Sequence, residues 1–433
     1  MIQSISVKNF LSFKEKTEFS FEASSDNTLE SQYVFEPVKD VRLLKMIMLF
    51  GSNGSGKTNF IKIFKFLYEF IVEGDLSSFQ PFNYNNSNKI GEFEIVFYAE
   101  KIKYIYKLKV DKNSVIEEKL YNYPSQKPAL IFDRSKTTDN KINVDYGKKL
   151  NVSNVDKGII NKFIKNDKSI LFSWSANYFE SNDIYTIQNW FKTKFFKPIN
   201  TEDSISNLVD DLLLNDEKKL KHSVIKYMKQ AGFSISDLEY KTVTTPIDND
   251  TIKEILESLK TFENKDNLLK ELQGSLSLQK IKKVFKREIT DKNKTKTVEV
   301  NFDEESKGTK RYFEVLTIIL NQIKEEGILA IDELEYSLHP LIVIHLISDY
   351  IRQAGESQLI FTSNNVALLN YKDRLRRDAL WILDKDKNGS TIYKTVSNIT
   401  KFRKELSYFN YYLKGEFGGI PQVVKPFTNL TNK

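Results

Sequence analysis

The stretch GSNGSGKTNF, residues 51 to 60, constrains this chain more than any other. It follows LLKMIMLF (43 to 50), a nearly unbroken apolar run of the kind that suits a strand buried on both faces. After it, Phe60, Ile61, Phe64, Leu67, Tyr68 and Ile71 recur at helical spacing. The order is strand, glycine-rich loop, helix, which predicts an α/β fold around a buried sheet. In that context Gly51, Gly56, Lys57 and Thr58 match G-x-x-x-x-G-K-[ST]. Glycines let successive main-chain N–H groups turn toward phosphate, and the helix adds its positive N-terminal end. The expected nucleotide contacts are Gly51, Ser52, Asn53, Gly54, Ser55, Gly56, Lys57, Thr58 and Asn59. Lys57 is placed to reach the β- and γ-phosphates, and the Thr58 hydroxyl to ligate Mg²⁺.

A phosphate cradle needs a carboxylate on a second strand, and ILAIDE supplies it. Asp332, at the end of an apolar run, is the expected Mg²⁺ partner. Glu333, next to it, is the expected general base for an attacking water. Alone, an Asp-Glu pair after an apolar run reads equally well as a solvated strand end. With the loop it completes a site for ATP and Mg²⁺.

The rest of the chain divides by pattern. IQSISVKNF and TEFSF (17 to 21) alternate and predict an antiparallel pair, and EFEIVFYAEKIKYIYKLKV (92 to 110) opens a meander that continues through SVIEEKLYNY and ALIFDR. Residues 1–150 therefore form an N-terminal lobe. Residues 151–297 are polar, lysine-rich and helical in pattern, for example SISNLVDDLLLNDEKKLKHSVIKYMKQ and TIKEILESLKTFENKDNLLKELQ, and are expected to form a helical insertion, a lid or arm. Residues 298–433 return to strands and helices, with GILAIDE, QLIFTS and ALWILDKD as strands of a parallel sheet.

Composition excludes more than it assigns. There is no cysteine, so disulfides and thiolate metal sites are ruled out, and the 3 histidines (His222, His339, His345) are too scattered for a metal cluster. The N-terminus lacks a signal-peptide pattern, and no window reaches the roughly 18 apolar residues of a membrane span, so a soluble cytoplasmic protein is expected. The net charge of +7, from 65 basic against 58 acidic residues, permits nucleic-acid contact without demanding it.

The loop, ESKGTKRYF (305 to 313), AIDELEYSLHP (330 to 340) and IFTSNN (360 to 365) resemble, in order, the phosphate loop, signature, magnesium strand and switch of ABC-type ATPases. They look most like the bacterial AAA15 family, close to the ATPase parts of OLD proteins and more distantly to RecF, SMC and Rad50 heads. SVKNFLSFKE near the start, and LRRDALWILDKDKNGST and YLKGEFGGIP near the end, extend the likeness to both ends of the chain. The resemblance implies a P-loop ABC-type ATPase core carrying an antiparallel β-meander and a helical insertion. It implies that Ser306 and Gly308 contact the γ-phosphate held by a second protomer, in a head-to-tail dimer or a larger assembly. Ser337 to Pro340 falls at that family's dimer-contact loop, and Gln80 is the candidate glutamine for Mg²⁺ or water. The family's switch histidine is replaced by Asn364, which donates a hydrogen bond but carries no charge, so slow hydrolysis and an ATP-held clamp are expected.

A transporter engine is disfavoured because most of the chain separates Lys57 from Asp332, and a GTPase because no [NT]-K-x-D motif occurs. The stretch after Asp332 is too short to add a nuclease domain to the core. The resemblance thus implies the sensor or scaffold of an anti-phage defence system, with a separate effector protein, a toxin or nuclease, and no membrane. The alternative is a DNA-repair ATPase of the RecF or Rad50 kind, with KIKYIYKLK (101 to 109) and RLRRD (374 to 378) touching nucleic-acid phosphates.

Overall fold

The computed structural model describes residues 1–433 apart from 83–88, 126, 138, 149, 151–152, 176–181, 202, 217–218, 247–276, 292–293, 400–406 and 422–433. The chain divides into two compact units, Met1–Asn207 with Ile318–Lys433, and Leu208–Thr317.

In the larger unit the N-terminal alternation forms β1 (Ile2–Lys8) and β2 (Thr17–Ser20), antiparallel with Ile5 opposite Phe19. A short helix α1 (Glu30–Tyr33) and the hairpin β3 (Val34–Val38) and β4 (Val41–Leu44) lead into β5 (Met46–Gly51), whose every residue is buried. Helix α2 (Lys57–Tyr68) follows and runs into a π-helical turn at Glu69–Glu73. The meander is β6 (Gly91–Ala99), β7 (Ile102–Val110), β8 (Val115–Tyr123), β9 (Ala129–Lys136) and β10 (Ile142–Tyr146). It adds to β1 and β2 in a 7-stranded antiparallel sheet ordered β10-β9-β8-β7-β6-β1-β2. Charges on this sheet pair across strands, Lys8 with Glu92, Lys107 with Glu94 and Lys119 with Asp133, as alternation on a half-solvated sheet allows. Helices α3 (Asn154–Ile164), α4 (Ile170–Ser175) and α5 (Asn182–Lys194) belong to the same unit.

The smaller unit takes in most of α6 (Ser206–Asn215), all of α7 (Lys219–Gln230), the strands β11 (Asp237–Pro246), β12 (Ser277–Asp291) and β13 (Lys294–Asn301), and the first part of α8 (Lys307–Lys324). The helical insertion expected over 151–297 holds helices up to Gln230, but the residues described beyond it include three strands, which form an antiparallel sheet. The pattern misleads because an inward position of β12 holds a cation. Lys283 is 7% exposed, with its ammonium 4.1 Å from the Phe302 ring centre and 2.6 Å from Asp210. Its stem fills core volume that an alternating strand gives to an apolar side chain. The segment TIKEILESLKTFENKDNLLKELQ (251 to 273), also expected to be helical, lies outside the described residues.

The second sheet of the larger unit holds the chemistry. Its strands are β14 (Ile328–Ile331), β15 (Gln358–Thr362), β16 (Leu380–Lys385) and β17 (Thr391–Thr395), with β5 in the middle, in the order β14-β15-β5-β16-β17. All pairings are parallel but the last, so the expected parallel sheet forms. Helix α9 (Pro340–Gln353) links β14 to β15, and α10 (Tyr408–Leu413) follows β17. Phe60 of α2 packs 4.6 Å from Phe19 and 5.9 Å from Trp381, and Phe66 packs 4.7 Å from Phe93, so α2 binds the two sheets together. Each such ring contributes about 1.5–3 kcal/mol by burial. Gln358, 1% exposed, adds a polar stitch: it accepts from Ile2 N (2.7 Å) and donates to the carbonyls of Ile2 (3.0 Å) and Leu44 (3.3 Å).

Candidate functional site

The glycine-rich loop leaves β5 at Gly51, packed against the neighbouring strand β16. A Cβ at Gly51 would lie 2.4 Å from the Leu383 carbonyl and 2.6 Å from Ser55 Oγ, so only glycine fits. Gly56 caps α2 with φ +108°, and a Cβ there would lie 2.2 Å from Thr391 Oγ1. No side chain caps this helix, so its first-turn N–H groups open into a groove of about 400 Å³ lined by Asn53, Gly54, Gly56, Lys57, Thr58, Asn59, Glu333 and Asn364. Lys57 is buried and donates from Nζ to the carbonyls of Gly51 (2.6 Å) and Ser52 (3.1 Å). An ammonium has three donors, which leaves one for a ligand. Burial lowers the Lys57 pKa, and Glu333, Asp332 and Glu335 pull it back up.

Glu333 reaches the groove because one strand, β15, separates β5 from β14, whereas Asp332 is not among the residues that line it. The last residue of β15, Thr362, ties the two sides together. Thr362 Oγ1 donates to Asp332 Oδ1 (2.5 Å) and accepts from Glu333 N (2.8 Å). Asp332 is 4% exposed. Glu333 has φ +47°, a left-handed backbone for a non-glycine residue that turns the chain sharply off the strand. The Asn364 amide donates to Glu333 Oε1 at 2.6 Å, so the expected base and the expected switch residue are in direct contact.

Two supports were not legible in sequence. Thr391 Oγ1 lies 2.8 Å from Ser12 Oγ and 2.9 Å from the Ser55 carbonyl, bracing the loop from β17 and the N-terminal hairpin. Near the C-terminal end, Gly419 N donates to Asp384 (2.9 Å), and a Cβ at Gly419 would come within 3.3 Å of Gly51 Cα. The contacts of Thr391 with Ser12 and Ser55, and of Gly419 with Gly51, join residues more than 300 apart in sequence, which no local pattern reports. Thr362 and Glu335 were also missed, although both lie inside quoted motifs, IFTSNN and AIDELEYSLHP.

Other expected residues lie elsewhere. Ser306 and Gly308 open α8 in the smaller unit, where Ser306 Oγ accepts from Thr309 N at 3.1 Å. Gln80 does not line the groove: its side chain is exposed, and its carbonyl is held by Leu11 N at 2.8 Å. Ser337 has φ +62°, and His339 caps α9, accepting from Leu341 N at 3.2 Å. Among the described residues no helix is long and apolar enough to cross a membrane, and no cluster of His, Asp or Glu is arranged to hold a metal on its own.

Residues 46–370 match the family model described as "AAA domain, putative AbiEii toxin, Type IV TA system". The chain belongs to this family. No curated protein matches it. Among solved structures, this AAA protein is similar to an SMC head bound to the C-terminal winged-helix domain of ScpA (12% identity, 93% of this chain and 99% of that one, TM-score 0.46). It is also similar to an SMC head domain from Thermotoga maritima (11% identity, 91% and 98%, TM-score 0.43). At these scores the likeness is loose.

Proposed function

We propose that this AAA protein binds ATP with Mg²⁺ in the groove, hydrolyses it slowly, and uses the cycle to control a separate effector in anti-phage defence. One observation carries the reading: uncapped helix N–H groups and Lys57 line one groove with Glu333, and Thr362 Oγ1 bonds both the Glu333 main-chain N–H and the Asp332 carboxylate. The donor set suits a hard cation, since the buried Asp332 carboxylate and the exposed Thr58 hydroxyl offer oxygen only. Magnesium held there neutralises charge on the β- and γ-phosphates. The Glu333 carboxylate takes the proton of the attacking water, and Lys57 and the first-turn N–H groups steady the charge that grows on phosphate. Asn364, neutral and engaged with Glu333, orients that base without adding charge, which supports slow turnover.

Ser306 and Gly308 of a second copy are proposed to close the site in a head-to-tail dimer. The description of the matched family, "putative AbiEii toxin, Type IV TA system", supports the defence context and a partner chain. The DNA-repair reading loses support from its basic stretches. In RLRRD, Arg376 is 0% exposed and bonded to Asp378 (2.7 Å), Arg374 donates to Ser348 (2.7 Å), and Arg377 pairs with Asp26 (3.0 Å). In KIKYIYKLK, Lys107 and Lys109 pair with Glu94 and Glu117.

The test is steady-state hydrolysis of MgATP by the purified protein beside Lys57→Ala, with mass by light scattering with and without ATP and a gel shift on duplex DNA. Turnover lost in the variant, with ATP-dependent dimers and no DNA shift, is the expected result. Salt-sensitive, ATP-dependent binding of plain duplex would replace the defence reading with repair.

A further inference from the structure

The turn after Glu333 carries a second glutamate that the reaction as described does not use. Glu335 Oε1 accepts from the main-chain N–H of Asn364 at 2.6 Å and of Asn365 at 3.2 Å. Its other oxygen, Oε2, is buried with no hydrogen-bond partner among the described residues. The backbone fixes this arrangement: Glu333 and Ser337 both have left-handed φ (+47° and +62°), Tyr336 N donates to the Glu333 carbonyl (2.8 Å), and Leu338 N donates to the Glu335 carbonyl (2.8 Å). These tight turns fold the Glu335 side chain back to the end of β15.

Two adjacent carboxylates thus hold the same asparagine from different sides. Glu333 takes its side-chain amide, and Glu335 takes its main-chain N–H. We propose that Glu335 is a positioning residue: it anchors the backbone at Asn364 so that the side-chain amide is held on the Glu333 carboxylate in the geometry the attacking water requires. This rests on the reading of the groove as an ATPase site. An amide NH₂ has two hydrogens, so an Asn364 anchored in this way offers one to Glu333 and keeps the other for a phosphate oxygen. Released from Glu335, the backbone at 364 and 365 loses a charged acceptor for two N–H groups, and the amide no longer has a fixed origin. Misplacing a catalytic group by about 1 Å costs on the order of 100-fold in rate.

The experiment compares Glu335→Ala, Glu335→Gln and Asn364→Ala, and the double variant Glu335→Ala with Asn364→Ala, in the full-length protein. Three readouts are taken: kcat for MgATP, affinity for a non-hydrolysable ATP analogue, and hydrogen–deuterium exchange of the peptide spanning residues 360 to 370. Glu335→Ala is expected to lower kcat by roughly 10- to 100-fold with analogue affinity within about 2-fold of the parent, and to speed exchange at 364 and 365. Glu335→Gln, which keeps an oxygen acceptor, recovers most of both losses. The double variant is no slower than Asn364→Ala, because residues acting as one unit do not add. Multiplying losses in the double variant, equal loss of analogue affinity, or unchanged kcat despite faster exchange would each overturn the proposal. If the parent shows no turnover, the ATPase reading fails while exchange still decides whether Glu335 anchors Asn364, and unchanged exchange sinks the anchor itself. Should Glu335→Ala not fold, Glu335→Gln against Glu335→Asp gives the same comparison, since the shorter acid cannot span to both N–H groups.

Discussion

Helix α2 begins at the end of GSGKT and helix α8 begins inside ESKGT, so two helices open on nearly the same residue types. Their first turns are satisfied in different ways. Gly56 precedes α2 and offers no side chain, so the N–H groups of that turn face the groove. Ser306 precedes α8 and accepts from Thr309 N at 3.1 Å, using one of those donors internally, while its hydroxyl lies 2.9 Å from Thr309 Oγ1. A glycine start is unfinished without an anion. A serine start is complete alone, and its hydroxyl hydrogen can still turn to an outside acceptor without breaking the cap.

The comparison breaks most severely at the glycine start. Lys57→Ala removes the only charged donor among the loop's groove-lining residues and is expected to abolish ATP binding, so that the ATP-induced rise in melting temperature disappears. Gly56→Ala acts through the backbone: at φ +108° with Thr391 Oγ1 2.2 Å from the new Cβ, it should cost about 1–3 kcal/mol of stability and lose nucleotide binding as well. Calorimetry with and without MgATP checks both. If Gly56→Ala binds ATP normally, the uncapped turn is not the phosphate cradle.

Next in size is Glu333→Gln, expected to lower kcat by roughly 10²–10⁴-fold while binding persists, so that ATP-bound dimers accumulate in light scattering. Parent-like turnover would remove Glu333 from the role of base. Ser306→Ala should cost only about 1 kcal/mol through loss of the cap. Under the dimer reading it should also slow turnover without weakening ATP binding to the isolated chain. Loss of stability with turnover intact would leave Ser306 a cap and nothing more.

These contrasts also explain what could be read from sequence. β5 with its loop, and β14 followed directly by Asp332 and Glu333, were legible because each is an apolar run stopped by residues that chemistry, rather than packing, selects. The sheet β11-β12-β13 was hidden because Lys283 sits inward over Phe302, so the strand never shows clean alternation. RLRRD looked like a surface patch because a buried Arg376–Asp378 pair has the same composition as a solvated one. Thr391 and Gly419 could not be found, since their role is to touch the loop from β17 and from near the C-terminal end. Local periodicity reports burial along one element, whereas the site depends on which elements the sheet order brings together.

The smallest effect separates a titrating support from a non-titrating one. Burial raises the Glu335 pKa above the ordinary glutamate range, against the lowering effect of the N–H bond from Asn364. Below the unfolded pKa, about 4.3, both states hold the proton and Glu335 adds no pH dependence. As pH rises past it, the unfolded chain gives up its proton while the folded chain keeps it, so this contribution to stability declines until the folded pKa is passed. Glu335→Gln removes that titration. The melting temperature of the parent minus that of Glu335→Gln should therefore fall as pH is raised from the acid side through this window. Ser306→Ala, which removes a hydroxyl that does not titrate, should be offset from the parent by a constant amount over the same range. A parallel pair of curves for Glu335→Gln would mean that its carboxylate is as well solvated as the Ser306 cap, and that the buried oxygen at the end of β15 is open to water.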